Sequence, residues 1–487
     1  MTVGRLRWCL LTVLAVCLAA APSTWAHPAV ASRSAPAAVP ELGHRGAFLT
    51  DQAGRVVFLH GVNVVYKLPP YVAPDTAAGF TARDADFLAA HGFDAVRLGV
   101  LFAGVMPRPG QIDQNYLAQV DRIVQLLTAR KIWVLLDFHQ DAFNEKFHGE
   151  GFPAWAVHDD GLPFIDLGSF FANDQTPAVQ RAYDHVWNDD YQLWDYYTQA
   201  WVAVAKKWVA QPYLMGFDLF NEPNAGSQSA TCANPAGCPQ FDAVLQRFYD
   251  HVRTAIRTVD PHHLVWYEPQ FLFNALSASN FTHVDDPNVG LSWHDYACTP
   301  AFVSGGVLPG DPDCQINEPR VMDNAAAQEA AMGAGGLLTE FGAEDDSADI
   351  ARLTQFTDQH LTGWMYWAYK EWNDPTGSSD EGLYGNDAQP STVKAAKVSL
   401  LAYPYPQAVA GTPLAVSWDR SDRVLSFSYR PDPATGLTDV FVGDGTYPQG
   451  YTVSVSGGSV RAGSSASHVL ISATEQSKTV TVVVHPR

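Results

Sequence analysis

Two acidic residues stand where acid–base chemistry would want them. Glu222 closes the run "MGFDLFNEPN" (Met215–Asn224), and Glu340 lies in "GLLTEFG" (336–342). Each follows an apolar stretch that reads as a strand, so each carboxyl is delivered at a strand exit. Two carboxyls ending separate strands, with aromatic neighbours, suit glycoside hydrolysis. One protonates the leaving oxygen while the other attacks the anomeric carbon or activates water. Other exits carry His60 and Asn63, then Arg97, then Asp137, His139 and Asp141, then Asn221, Glu268, His294 and Tyr296, and finally Trp367. The strand bodies are apolar and their ends polar, a regularity that loop decoration alone does not produce. His60, Asp137, His139 and His294 could hold a metal, but no short His-rich ligand motif accompanies them. No Gly-rich phosphate loop opens a helix and no G-x-S-x-G elbow occurs, which argues against nucleotide chemistry and a serine hydrolase.

Residues so spread need a frame that brings strand exits together. Candidate strands are 56–63, 95–100, 133–139 and 214–223, then 263–269, 289–296, 336–342 and 363–372. Helical patterns lie between most of them. In "NYLAQVDRIVQLLTARK", Leu117, Val120, Ile123, Val124 and Leu127 share one face; in "QFDAVLQRFYDHVRTAIRTVD", Val244, Phe248, Val252 and Ile256 do. After the fifth strand only "FLFNALSAS" offers a weak helix. Eight alternating units predict a (β/α)8 TIM barrel over 44–405, whose active site forms at the C-terminal strand ends. Past Ala408 the period changes to two: Leu414, Val416, Trp418; Leu425, Phe427, Tyr429; Tyr451, Val453, Val455; Val480, Val482, Val484. That alternation predicts a small β-sandwich over 406–487.

The exits also carry a family likeness. "FNEP" (220–223) and "LTEFG" (338–342) stand at the fourth and seventh strand ends, and "LHGVN" (59–63), Arg97, His139, "WHDY" (293–296) and Trp367 fall in the same strand order. In these positions the chain resembles glycoside hydrolase family 5. The resemblance implies retaining double displacement, with Glu222 as acid/base and Glu340 as nucleophile. It implies Arg97 and Tyr296 as donors to Glu340, His294 in support, Asn221 on the sugar 2-hydroxyl and Trp367 as the floor of the reacting subsite. Glu268 in "WYEP" is the rival carboxylate, demoted only by that strand order.

Three further stretches, "VNVVYKLPPYV", "LLDFHQDAFNEKFHGEGFPAW" and "WAYKEWNDP", resemble endoglycoceramidases, which cleave the β-bond between glycan and ceramide. By that likeness Lys67, Asp137, His139 and Asp141 contact the sugar beside the cleaved bond, and the partner is a glycosphingolipid presented by a membrane or micelle. The connection from Gln140 to Asp189 far exceeds the usual length of about 2–6 residues. It holds Phe152, Trp155, Phe164, Ile165, Phe170 and Phe171, which suit an apolar channel for lipid chains or, alternatively, packing of the loop on the barrel. Cellulase-like, galactosylceramide-type and steryl-glucoside substrates stay open, as does a non-catalytic glycan-binding barrel.

Composition sets the remaining bounds. The 487 residues are 47% hydrophobic and 17% charged, with a formal charge of −21. Such an acidic chain fits neither nucleic acid nor electrostatic docking on anionic membranes. No cofactor, metal or obligate protein partner is expected. Residues 1–26 read as a secretion signal, with basic Arg5 and Arg7, an apolar middle and a Thr24-Trp25-Ala26 cleavage site; 27–43 reads as a disordered Ala/Pro-rich leader. The protein is therefore expected outside the cell. Cys9 and Cys17 leave with the signal, and the remaining four cysteines allow three connectivities. Local pairing, Cys232 with Cys238 and Cys298 with Cys314, is favoured because each pair brackets one loop.

Overall fold

The structure, a computed structural model, describes residues 40–298, 314–443 and 445–487. The expected signal, and all but the end of the expected leader, lie outside them. Eight parallel strands close into a barrel. In chain order they are His60–Val64, Ala95–Val100, Trp133–Phe138, Leu214–Asp218, Leu264–Tyr267, Val289–Asp295, Gly335–Gly342 and Trp364–Trp367, called barrel strands one to eight below. Every residue in them is buried. Their near-continuous apolar character follows, because a parallel sheet covered by helices has no wet face.

The helices dock through the faces that periodicity picked out. Gln114–Thr128 starts at Asp113, whose carboxylate caps the N–H groups of Asn115 and Tyr116, and Leu117, Val120, Ile123, Val124 and Leu127 are all buried. Pro239–Arg257 buries Leu245, Phe248, Tyr249, Val252 and Ile256, while Val244 stays half-buried at the edge of the stripe. After strand five there is no α-helix but a single 3-10 turn, Phe271–Ala275, at the top of the barrel. Among the described residues no helix is long and apolar enough to cross a membrane.

The strand expected over 56–63 breaks in two. Val56–Val57 pairs antiparallel with Tyr405–Val409, and Val56 and Phe58 join the second hydrophobic core rather than the barrel's. Barrel strand one therefore begins at His60 instead of ending near it. His60 stands at the rim opposite the strand exits, stacked on Tyr405 at 3.7 Å and on Trp364 at 4.4 Å. Burial among these rings pulls its pKa well down, and it is no part of the site.

The C-terminal region is two packed antiparallel sheets. One orders Gly411–Asp419, Val424–Pro431, Val480–Pro486 and Tyr451–Ser456. The other has seven strands, three of which (Leu42–Arg45, Phe48–Asp51 and Val56–Val57) precede the barrel. The expected alternation holds except at Leu414, which is 45% exposed because the pairing register slips between Pro413 and Ala415. Arg420 ties the sandwich to the barrel, donating to the Leu400 carbonyl and Thr354 Oγ1 while lying over the Tyr403 ring. The disulfides are Cys232–Cys238 and Cys298–Cys314, the local pairing.

Candidate active site

Past Asp218 the backbone leaves barrel strand four and must turn Glu222 into the mouth. It does so with a left-handed conformation at Glu222, φ +44°, which is unusual for any residue and more so ahead of a proline. Two neighbours hold that turn. Glu268 accepts the Glu222 backbone N–H at 2.8 Å, and Gln140 Nε2 donates to the Asn221 carbonyl at 2.9 Å. Glu268 is 1% exposed and also meets Arg97 at 3.3 Å, so the rival carboxylate is spent on positioning. Glu222 Oε1 then accepts from Asn274 Nδ2 at 2.6 Å and lies 2.9 Å from His294 Nδ1.

Glu340 arrives from strand seven. The pairing with strand six shifts register between Leu338 and Glu340, a bulge of the kind that re-aims side chains at barrel rims. Both expected donors reach it: Arg97 Nη1 at 2.5 Å on one oxygen, Tyr296 Oη at 3.1 Å on the other. One oxygen each of Glu222 and Glu340, with a nitrogen of His294, lie within 4.8 Å of one another. Burial pushes both carboxyls up. Glu340 rises to about 7 against the pull of Arg97 and His139. Glu222 is raised well above the usual range because the charge of Glu340 adds to burial. Two acids so close share one proton, and the opposing pull of Arg97 leaves it on Glu222. His294 has its pKa driven well down by burial and by Arg97, so it meets Glu222 as a neutral ring.

Arg97, fully buried, links this wall together. It reaches Asp218 at 2.9 Å, Asn221 at 2.8 Å, Asp137 at 3.0 Å, Glu268 and Glu340. Asn221 and Asp137 consequently lie beneath the cavity wall rather than on it. Asn221 takes Arg97 on its oxygen and donates to the Gln140 carbonyl at 3.0 Å; Asp137 holds His139 Nδ1 at 2.8 Å. Both of the residues expected to meet sugar are thus engaged in hydrogen bonds within the chain. The cavity itself is lined by Lys67, His139, Asp141, Tyr296 and Trp367 beside the two glutamates. Lys67 Nζ lies 2.5 Å from Asp141, 2.7 Å from Thr376 and 2.8 Å from Asp374. Although burial disfavours its charge, these carboxylates hold its pKa above the ordinary lysine value. His139 is likewise pushed up to about 9, as Asp137 and Asp141 overcome its burial.

His139, Asp141 and Glu150 cluster closely enough to suggest a cation site. Lys67 already supplies the positive charge there, 2.5 Å from Asp141 and 3.8 Å from Glu150, and like charge opposes a metal in the same place.

Comparison with known proteins places the chain in a family. The family model for cellulase (glycosyl hydrolase family 5) matches residues 52–373, and that of the glycoside hydrolase family 5 C-terminal domain matches 404–484. The chain belongs to glycosyl hydrolase family 5. It is 32% identical over 451 residues to endoglycoceramidase I of Rhodococcus hoagii (strain 103S), spanning 90% of this chain and 87% of that protein. Endoglycoceramidase of Cyanea nozakii is 28% identical over 453 residues, spanning 84% and 85%. The solved structure of endo-glycoceramidase II from Rhodococcus sp. in its ganglioside GM3 complex aligns with a TM-score of 0.76 at 27% identity, covering 91% of this chain and all of that one.

In this glycosidase part of the long connection after strand three packs on the barrel and part lines cavities. Phe152 is buried, stacked on Phe143 at 4.1 Å, and Trp155 donates its indole N–H to the Met106 carbonyl, so these two pack the loop down instead of standing exposed. Phe164 is half-buried against Phe147. Phe170 and Phe171 instead line the catalytic cavity, and Phe171 also lines an adjoining apolar cavity with Leu167, Ala172, Leu272, Ala275 and Leu276. Leu167, which lines it, is 56% exposed, and Ile165 in the same loop is 57% exposed.

Sequence reading missed Asn274, Gln140, Thr376 and Glu381. Asn274 had a signal, as the one amide within the apolar "FLFNAL". Thr376 and Glu381, which line the cavity, hid in "NDPTGSSDEG", a stretch whose composition says only turn.

Proposed function

We propose that this family 5 glycosidase is an exported, retaining endo-β-glycosidase that releases oligosaccharide and intact ceramide from glycosphingolipids. Glu340 attacks the anomeric carbon as Glu222 passes its proton to the departing ceramide oxygen. Glu222, now ionised, takes a proton from water, whose oxygen displaces Glu340 and restores both groups. The short reach between the two carboxyls supports this course, since an inverting pair stands about 6.5–9.5 Å apart to admit water. The related endo-glycoceramidase II has been captured as a lactosyl-enzyme intermediate, at 28% identity and a TM-score of 0.75.

The observation that carries the aglycone is the shared wall at Phe171. Phe171 lines both the cavity bearing the two glutamates and a neighbouring, mainly apolar one. A soluble polysaccharide has no use for a long apolar extension beyond the cleaved bond, whereas lipid chains bury apolar surface there. The exposed Ile165 and Leu167 of this loop fit contact with a membrane or micelle that presents the substrate, and the chain's charge of −21 favours an uncharged lipid surface. Export rests on the N-terminal signal pattern, and N-terminal sequencing of protein recovered from culture medium should begin after Ala26.

The test is to offer purified enzyme a glycosphingolipid and a soluble β-glucan. Free oligosaccharide with intact ceramide from the first supports the reading. Release from the glucan alone would replace it with a cellulase-like one.

A further inference from the structure

Glu381 lies in the loop after barrel strand eight, and it lines the same cavity as Glu222 and Glu340. The residue is 1% exposed. Its two oxygens are used unequally. Oε2 accepts from Trp367 Nε1 and from the Ser378 backbone N–H, each at 3.1 Å. Oε1 is buried with no hydrogen-bond partner. A buried carboxyl oxygen left unpaired is costly, and native structures keep one where something from outside the chain completes it.

The surroundings hold this carboxyl in place. The Ala368 N–H donates to the Glu381 carbonyl at 3.1 Å, pinning the loop to the end of strand eight. Gly377 packs directly on the side chain, for a Cβ there would fall 2.1 Å from Oε2. Trp367, which Glu381 anchors, is stacked with His139 at 5.1 Å and has Lys67 Nζ 4.5 Å from its ring. Trp367, His139 and Lys67 line the cavity together with Glu381, and an aromatic face beside polar groups suits a glycan. Burial and the charge of Asp374 push Glu381 to about 8 although Lys67 opposes them, so at neutral pH most molecules carry a proton there.

We propose that Glu381 is a sugar-binding residue: Oε2 fixes the Trp367 indole, and Oε1 hydrogen-bonds one hydroxyl of the sugar held against it. The assignment rests on the glycosidase reading and adds to it a group that recognises the glycan.

The experiment compares full-length wild type, Glu381→Ala and Glu381→Gln on an aryl β-lactoside and on analogues lacking single hydroxyls of the glucose unit. Wild-type turnover of the complete lactoside is the control for the glycosidase reading; an inert wild type would overturn that reading and this assignment together. Glu381→Ala should lower kcat/KM on the complete sugar by about 30–100-fold. On one deoxy analogue the loss should shrink to about 2–3-fold, because the hydroxyl that Oε1 serves is already gone. Glu381→Gln keeps an oxygen toward the Trp367 and Ser378 donors and should recover about 10-fold over alanine. Should the alanine variant fail to fold, the glutamine variant must show the same uneven pattern at smaller size. An equal loss on every analogue, or none on the complete sugar, would overturn the proposal.

Discussion

At the scale of residues, two carboxyls are held in different states by their neighbours. Glu222 feels burial and Glu340's charge; Glu340 feels burial and the opposing pull of Arg97. Glu222→Gln should lower kcat/KM for the lipid substrate about 10²–10⁴-fold, with far-UV circular dichroism unchanged, because it deletes proton transfer and keeps shape. A bell-shaped kcat/KM profile should accompany the wild type. Activity needs Glu340 ionised, so it should fall as pH drops below about 7; it needs Glu222 protonated, so the alkaline limb should lie higher. Replacing Arg97 by lysine weakens the pull on Glu340 and should move the acidic limb upward. A limb that stays in place would show that Arg97 does not set the charge state. The meeting of Glu222 and Glu340 at the barrel mouth was readable from their strand exits. What Asn221 and Asp137 do was not, because an amide or acid at an exit looks the same whether it meets sugar or an internal arginine. Only three-dimensional placement shows both of them bonded beneath the wall.

At the scale of elements, the loops carry both specificity and strain. Phe171→Ser should reduce hydrolysis of a long-chain glycosphingolipid about 10-fold while leaving an aryl lactoside within about 2-fold, since only the former needs the apolar extension. Behind strands six and seven, Asp295, Glu318, Glu344 and Asp349 are all buried, with Arg352 paired to Glu318 and Asp349. Burial raises Glu318 to about 7 and Glu344 to about 10, and Asp295 well above its ordinary value. Carboxyls with raised folded-state pKa values bind more protons folded than unfolded. The stability they contribute is full below about pH 4 and is lost as pH rises toward their folded values. Glu344→Gln should therefore raise Tm by about 2–4 °C at pH 8 and change it little at pH 5. Helix faces were legible to the residue in Gln114–Thr128, where one stripe decides burial. The strand starting at Val56 was not. Its apolar run is continuous through Phe58, and only the distant partner strand at Tyr405–Val409 divides it between two sheets.

At the scale of the whole molecule, barrel and sandwich are not independent pieces. The seven-stranded sheet takes three strands from before the barrel and four from after it, and Val56 and Phe58 are buried among residues contributed by the C-terminal sheets. Cutting the chain at 405 would strand those apolar residues in water and leave open sheet edges. The truncated protein should be insoluble, or soluble without a cooperative thermal transition; a well-folded, active barrel would contradict the arrangement. Sequence periodicity located both modules because period 3.6 and period 2 are local. The pairing that joins them spans the length of the chain and leaves no local trace. The most direct test of the account is covalent trapping. Wild-type enzyme incubated with an activated 2-deoxy-2-fluoro lactoside should lose activity as it gains the mass of one glycosyl group, and peptide mapping should place that group on Glu340. Label on Glu268, or turnover without any covalent adduct, would contradict it.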